Sequence, residues 1–212
     1  MLEVAHLRVT LDKWLTLHNT SFIVPNGMTW AITGPSGSGK TTLLRAIAGL
    51  VRIDTGNIFV DGTDITHVPT HKRNIGLMFQ DGQLFPTMTV AENIEFGLRM
   101  RNVSSSLRTD KVNELLSLVQ LDGFNSRDVS TLSGGQSRRV ALARSLAPSP
   151  PVLLLDEPLT GLEEDLRYEL AEELASIIAS TSTTTVVVTH DKKEAAILAR
   201  TVVDISEIDA RE

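Results

Sequence analysis

Apolar and polar positions alternate through LRVTL and WLTLHNTSFIV, two runs that flank Asp12-Lys13. A period of two predicts two strands around a short turn. MTWAIT, from Met28 to Thr33, is a short β-type run ending at a glycine-rich loop. Beyond the loop the period lengthens. In TTLLRAIAGL, residues Leu43, Leu44, Ile47 and Leu50 fall on one helical stripe. GNIFVDGTDI predicts a further strand with a glycine-containing turn, and NIGLMFQ a strand ending at Gln80.

From about Thr89 to Ala147 the signals are helical. Val112, Leu115, Leu116 and Val119 follow the i, i+3, i+4, i+7 spacing of a buried face, after a polar loop, NVSSSLRTD. The β signal returns in PVLLLDEP, a short apolar run of the kind buried on both faces of a parallel sheet. A helix is expected next, with Leu162, Leu166, Leu170, Leu174 and Ile177 as its stripe. A loop, ASTSTT, the strand TVVVTH, a short helix and a last strand, TVVDIS, follow. No internal repeat is visible. Strands alternating with helices around a helical insertion predict an α/β fold with a parallel core sheet.

Composition narrows the partners. The chain has 212 residues, 42% hydrophobic and 22% charged, with a formal net charge of −6. That length suits one domain with a subdomain, and the acidic balance argues against a nucleic-acid surface. No cysteine is present, so disulfides and thiolate metal sites are excluded. MLEVAHLRVTL lacks the pattern of a signal peptide, and no apolar run approaches the ~20 residues of a membrane span. A cytoplasmic protein is expected, with any membrane contact made through a partner.

The candidate chemistry begins at GPSGSGKT, which fits G-x-x-x-x-G-K-[ST] between a predicted strand and a predicted helix. Gly34, Pro35, Ser36, Gly37, Ser38 and Gly39 would curl so that backbone N–H groups face phosphates. Lys40 would reach the β and γ phosphates, and Thr41 offers a hydroxyl to Mg²⁺. The flanking elements favour this over a chance glycine turn. A dinucleotide fingerprint fails, because Thr42 stands where a third glycine is needed. VLLLDEP places Asp156 and Glu157 at the C-terminal end of a buried strand, the edge where open α/β sheets bind ligands. Alone the pair is equally an acidic turn before Pro158. Beside a phosphate loop, Asp156 would serve Mg²⁺ and Glu157 would polarise an attacking water. In TLSGGQSRRVALARSLA, Ser133 and Gln136 have the spacing of a capping box. Yet Gly134 and Gly135 occupy the first turn, where each weakens a helix by up to roughly 1 kcal/mol. Bare N–H groups at a helix start suit an anion instead.

GPSGSGKTT, Gln80 in LMFQDGQLFPTMTVAENI, LSGGQ, VLLLDEP and His190 in VVVTHD stand in an order that resembles the nucleotide-binding subunit of ATP-binding-cassette (ABC) transporters. The resemblance covers nearly the whole chain, and the LSGGQ signature is its most specific part. It implies a P-loop NTPase (RecA-like) core with an N-terminal antiparallel β subdomain and an inserted helical subdomain. The boundaries expected within a single domain of residues 1–212 are 1–84 and 148–212 for the core, and 85–147 for the helical part. It also implies ATP and Mg²⁺ as ligands and head-to-tail, ATP-dependent homodimerisation. Ser133, Gly134, Gly135 and Gln136 of one subunit would face nucleotide held by Gly34–Thr42 of the other. Further roles carried over are Gln80 touching Mg²⁺ and water, His190 contacting the γ-phosphate, and Glu157 as catalytic base. Metal contacts would come from Thr41, Gln80 and Asp156. A lone glutamine or histidine at a strand end is ordinarily solvated or structural, so these two roles rest on motif context. Trp14 is the candidate to stack on adenine; otherwise it packs on the hairpin and Leu11 or another residue meets the base.

The segment after Gln80, around Leu84 to Thr87, would meet transmembrane permease subunits, placing the chain on the inner face of the cell membrane. The chain looks most like cassettes of small-solute importers, such as those for molybdate, thiamine, iron(III), sulfate or polyamine. A solute-binding protein is then expected, and the chain reads as a minimal cassette. Export or lipoprotein release, a non-transport ABC ATPase and a P-loop kinase are the alternatives; the kinase leaves the signature and His190 unexplained. One departure stands out: Thr160-Gly161-Leu162-Glu163 puts Glu163 where the family typically has Asp.

Overall fold

The computed structural model describes residues 1–11 and 14–210. The alternating N-terminal runs form β1 (Leu2–Leu11) and β2 (Trp14–Val24), which pair antiparallel from Leu2 opposite Val24 to Leu11 opposite Trp14. The turn expected at Asp12-Lys13 lies outside the described residues. After β3 (Thr29–Thr33), strands β4 (Thr55–Val60) and β5 (Thr63–Asp64) complete an antiparallel sheet of order β2-β1-β4-β5. Its alternate residues Leu2, Val4, Leu7, Val9, Leu17 and Ile58 are buried in one core with Leu43, Leu44 and Ile47.

A second sheet has the order β6-β7-β8-β3-β9, from β6 (Ile75–Met78), β7 (Val152–Asp156), β8 (Thr184–Val188), β3 and β9 (Thr201–Asp204). β3 runs parallel to both β8 and β9, and β7 runs parallel to β8. Every residue of β7 and β8 is buried, which explains the apolar runs Val152–Leu155 and Val186–Val188: neither face meets water. Because β7, β8 and β3 are parallel neighbours, their C-terminal ends share one edge. The glycine loop, Asp156-Glu157 and His190 all follow those ends.

The chain divides into two compact units, Met1–Leu77 with Pro151–Glu212, and Met78–Pro150. The first carries both sheets with α1 (Lys40–Ala48), α5 (Glu164–Thr181), α6 (Lys192–Leu198) and α7 (Ile205–Ile208). The second carries α2 (Val90–Met100), α3 (Ser105–Leu118) and α4 (Gly134–Leu146). It begins at 78 and ends at 150, wider at each end than the 85–147 insertion expected from sequence. Val112, Leu115, Leu116 and Val119 are buried there, as their spacing predicts. Asn93 is fully buried at 0% exposure and clasps the segment before α2. Its amide oxygen accepts from Phe85 N (2.8 Å), while its nitrogen donates to Thr89 O (2.9 Å) and Phe85 O (3.2 Å). Arg144 of α4 donates to Gly82 O (2.7 Å) and Gln83 O (2.8 Å), with its guanidinium 5.4 Å from the Phe85 ring centre.

Several local expectations shift. Leu50 is 49% exposed because α1 stops at Ala48 and Gly49 caps it in the left-handed region (φ 79°). The loop expected at residues 102–110 already turns helical at Ser105. In α5 the buried face is Ala171, Leu174, Ile177 and Ile178, whereas Leu166 is 46% exposed. A strict four-residue step drifts by about 40° per repeat around a helix of 3.6 residues per turn, so Leu166 lies off the face on which Leu174 is buried, and Leu162 precedes the helix. α5 runs on to Thr181, which shortens the expected 179–184 loop. β6 stops at Met78, two residues short of Gln80. β9 ends at Asp204, whose side chain caps α7 by accepting from Ser206 N at 3.0 Å.

Candidate functional site

The glycine loop leads from β3 into α1 without a side-chain cap. Gly39 stands at the N-cap with φ 101°, no side chain bonds the first turn, and no acidic residue lies in it. A Cβ on Gly39 would come within 3.0 Å of Thr16 O, so backbone angle and space both require glycine. The open N–H groups at this helix start, with the helix dipole behind them, form a cradle for an anion. Lys40 is 4% exposed, and its ammonium donates to Gly34 O (2.8 Å) and Pro35 O (2.9 Å). The Ser38 hydroxyl is buried without a hydrogen-bond partner. A buried, orphaned hydroxyl costs free energy unless something fills the loop, which fits a phosphate there.

Asp156 is 4% exposed at the end of β7, and its Oδ1 accepts from Thr41 Oγ1 at 2.9 Å. Burial raises its carboxyl above the ordinary carboxylate value; the Thr41 bond opposes this, and the Glu157 charge adds to it. One hydroxyl and one carboxylate suit Mg²⁺, which commonly takes one or two protein oxygens beside phosphate and water. Among the described residues no group of three or more His, Asp or Glu side chains could hold a metal by itself.

Glu157 adopts φ 44°, a left-handed conformation rare for a side chain of this size. Such strain costs about 1–3 kcal/mol and persists where the surroundings enforce it. Here Glu157 N donates to Val188 O of β8 at 2.9 Å. The Glu157 carboxylate is held at Oε2, which accepts from Thr160 Oγ1 (2.8 Å) and lies 3.3 Å from His190 Nδ1. The structure thus brings Gly34–Thr42, Asp156, Glu157 and His190 together in the first unit. Gln80, exposed just beyond β6, belongs to the second unit, as do Ser133–Gln136. Trp14 is 78% exposed, so it does not pack on the hairpin.

At the start of α4 the capping box is present. Ser133 Oγ accepts from Gln136 N (3.3 Å), and Gln136 Oε1 accepts from Ser133 N (3.1 Å). Neither glycine is demanded by the chain itself. A Cβ on Gly135 would meet nothing within 4 Å, and one on Gly134 only Arg138 Nη1 at 3.8 Å. Both are helical residues; alanine would serve the helix better.

Sequence reasoning missed Arg167 and Glu194. D-x-x-E from Asp191 to Glu194 has the spacing of a capping box, which would leave Glu194 on the surface. Instead Glu194 is 1% exposed, and its Oε1 lacks a partner. Burial pushes its carboxyl up to about 7, with the Thr189 hydrogen bond opposing and the Asp191 charge adding. Its folded value thus lies above the ordinary 4.5. The neutral acid therefore favours folding fully below about pH 4.5, and that stability is lost as pH rises through about 7. Glu194→Gln is expected to gain on the parent chain between pH 5 and pH 8, by on the order of 2 kcal/mol. Urea melts at the two pH values test this; a difference that does not change with pH would refute it.

A parallel sheet with a glycine loop entering a helix, and an acidic strand end beside it, defines the P-loop nucleotide-binding class of α/β folds. Residues 17–160 match the ABC transporter family model, and the chain belongs to that family. It is 54% identical over 172 residues to an Fe(3+) ions import ATP-binding protein of Streptomyces coelicolor, covering 81% of this chain and 49% of that one. It is 46% identical to a probable sulfate/thiosulfate import ATP-binding protein of Chlorella vulgaris, covering 94% and 85%. The chain spans about half the length of the iron(III) relatives it matches. A dimeric ATP-binding cassette in a post-hydrolysis state, bound to ADP and Pi, superposes with a TM-score of 0.82 at 29% identity, covering 96% of this chain and 94% of that one.

Proposed function

We propose that this chain is the ATP-hydrolysing subunit of an ABC transporter and powers import of a small solute. The supporting observation is the pair Gly134-Gly135: two helix-weakening residues with open space above them and no role within their own chain. A second copy bringing nucleotide to that helix start gives them one. Relatives named for iron(III) and for sulfate or thiosulfate import support import as the direction. Among the described residues no helix is long and apolar enough to cross a membrane. Separate permease subunits would form the channel and choose the solute, with a solute-binding protein delivering it, and the chain would act on the inner membrane face.

In this reading Gly34–Thr42 and Lys40 bind the triphosphate, with Trp14 against the adenine. Thr41 and Asp156, joined by a 2.9 Å hydrogen bond, would hold Mg²⁺, which when bound neutralises phosphate charge. Glu157 accepts a proton from the attacking water, and His190 orients the γ-phosphate. Backbone N–H groups of the loop and of the partner's signature helix stabilise charge as the phosphoryl group leaves.

Gly135→Ala separates this function from folding. It is expected to leave the melting temperature unchanged or raise it by about 1–2 °C. In a Glu157→Gln background, light scattering should detect a Mg-ATP-dependent dimer, and Gly135→Ala should abolish it. A dimer that survives Gly135→Ala and Ser133→Arg alike would overturn the head-to-tail arrangement.

A further inference from the structure

Arg167 lies in the second turn of α5 and is 21% exposed at its side chain. Its guanidinium reaches two loops at once. Nη1 donates to Asp191 Oδ2 (2.8 Å), and Nη2 donates to Leu162 O (2.8 Å). Asp191 directly follows His190 and is fixed on every side. Its Oδ1 accepts from Lys193 N (2.9 Å) and Glu194 N (3.0 Å), and its own N–H donates to the buried Thr189 hydroxyl (3.1 Å). Tyr168 OH lies 3.4 Å from Oδ2. Leu162 belongs to the loop that leaves Glu157, in which Thr160 holds the Glu157 carboxylate. The bonds therefore close a ring: Glu157, Thr160, Leu162, Arg167, Asp191, His190, and back to Glu157 across 3.3 Å.

We propose that Arg167 is a positioning residue, whose two terminal nitrogens tie the His190 loop to the Glu157 loop and so set the imidazole against the carboxylate. Only a planar fork can do this. Its two nitrogens diverge at fixed geometry toward acceptors on separate loops, whereas lysine offers one charge centre on a flexible stem. The backbone bond from Arg167 N to Glu163 O, at 2.9 Å, is an ordinary helix bond that a substitution at 167 keeps, so the tie lies in the guanidinium alone. Loosening Arg167 would free both loops together.

The inference rests on the ATPase reading, and the experiment keeps the two apart. Arg167→Met and Arg167→Lys are compared with the unaltered full chain and with His190→Ala. kcat is expected to fall about tenfold in both Arg167 variants, with KM for ATP changed less than about threefold and no rescue by lysine. In the His190→Ala background, Arg167→Met should cost less than about twofold more, since the geometry it serves is already gone. Equal losses in both backgrounds, or full activity in Arg167→Lys, would overturn the proposal. NMR of His190 ring protons reads the same geometry without turnover, with exposed Glu172→Gln as the control. Resonances that move in Arg167→Met but not in Glu172→Gln support the tie, even if the unaltered chain hydrolyses no ATP and the functional reading fails. Unmoved resonances sink the tie.

Discussion

Glu157→Gln is expected to reduce ATP hydrolysis by about 10²–10⁴-fold while ATP affinity stays within a fewfold. The substitution keeps size and one amide oxygen, so the Thr160 hydroxyl, 2.8 Å from Oε2, retains an acceptor. What it removes is the ability to take a proton. The left-handed backbone at φ 44° turns this side chain back toward Thr160 and His190, so a carboxylate elsewhere in the loop cannot replace it. The groups proposed to bind nucleotide lie in the loop between β3 and α1 and at the start of α1, apart from the Glu157 loop, so binding should survive. Single-turnover hydrolysis beside equilibrium binding of a fluorescent ATP analogue gives the split. Hydrolysis within tenfold of the parent would move the proton acceptor to another residue.

Arg73→Met is expected to destabilise the chain by about 3–5 kcal/mol. Arg73 is 7% exposed and donates to four backbone carbonyls: Val68 (2.7 Å), Ala46 (3.0 Å), Ile47 (2.8 Å) and Thr66 (2.6 Å). Ala46 and Ile47 end α1, where carbonyls lack intrahelical partners and the helix dipole favours a cation. Methionine keeps much of the volume but removes all four donations, and of the four carbonyls Ala46 O keeps a bond from Gly49 N at 3.0 Å. Gly49 belongs to the same device, since a Cβ there would sit 2.5 Å from Arg73 Nε. Chemical denaturation followed by circular dichroism reads the loss; a change below about 1 kcal/mol would show that the carbonyls find other donors. Arg73→Lys should recover little, because one ammonium cannot span four diverging carbonyls.

Much of the fold was legible because period and burial agree. β7 and β8 are buried on both faces and carry the apolar runs Val152–Leu155 and Val186–Val188. β1 and β2 bury one face and read as alternation. Misreadings fell where spacing alone is ambiguous. A leucine every fourth position looks amphipathic over two turns, yet winds away from the core over four, which is how Leu166 came to face water. Ser104 to Ser106 read as a loop, although Ser104 only marks the boundary of α3. At the candidate site, the loop glycines and Asp156-Glu157 were legible because their chemistry fixes residue type and spacing. Arg167 and Glu194 were not. Arg167 works through a carbonyl and a carboxylate on two loops, a relation that leaves no spacing to read. Glu194 wears the pattern of an exposed cap while sitting in the core.

Asn93 spends its whole amide on the segment that precedes α2, and Arg144 holds the stretch just before it. The outline around Leu84 to Thr87, the segment expected from the sequence to meet a permease, is therefore cast when the chain folds. Ordering a loop on contact commonly costs about 0.5–1.5 kcal/mol for each side chain immobilised, and here that entropy is already gone. If the proposed permease docks here, it would meet a preshaped segment, and its on-rate should be that of two preshaped bodies. Asn93→Ala would reveal the hidden term: slower capture of the permease by a loop that must first find its shape.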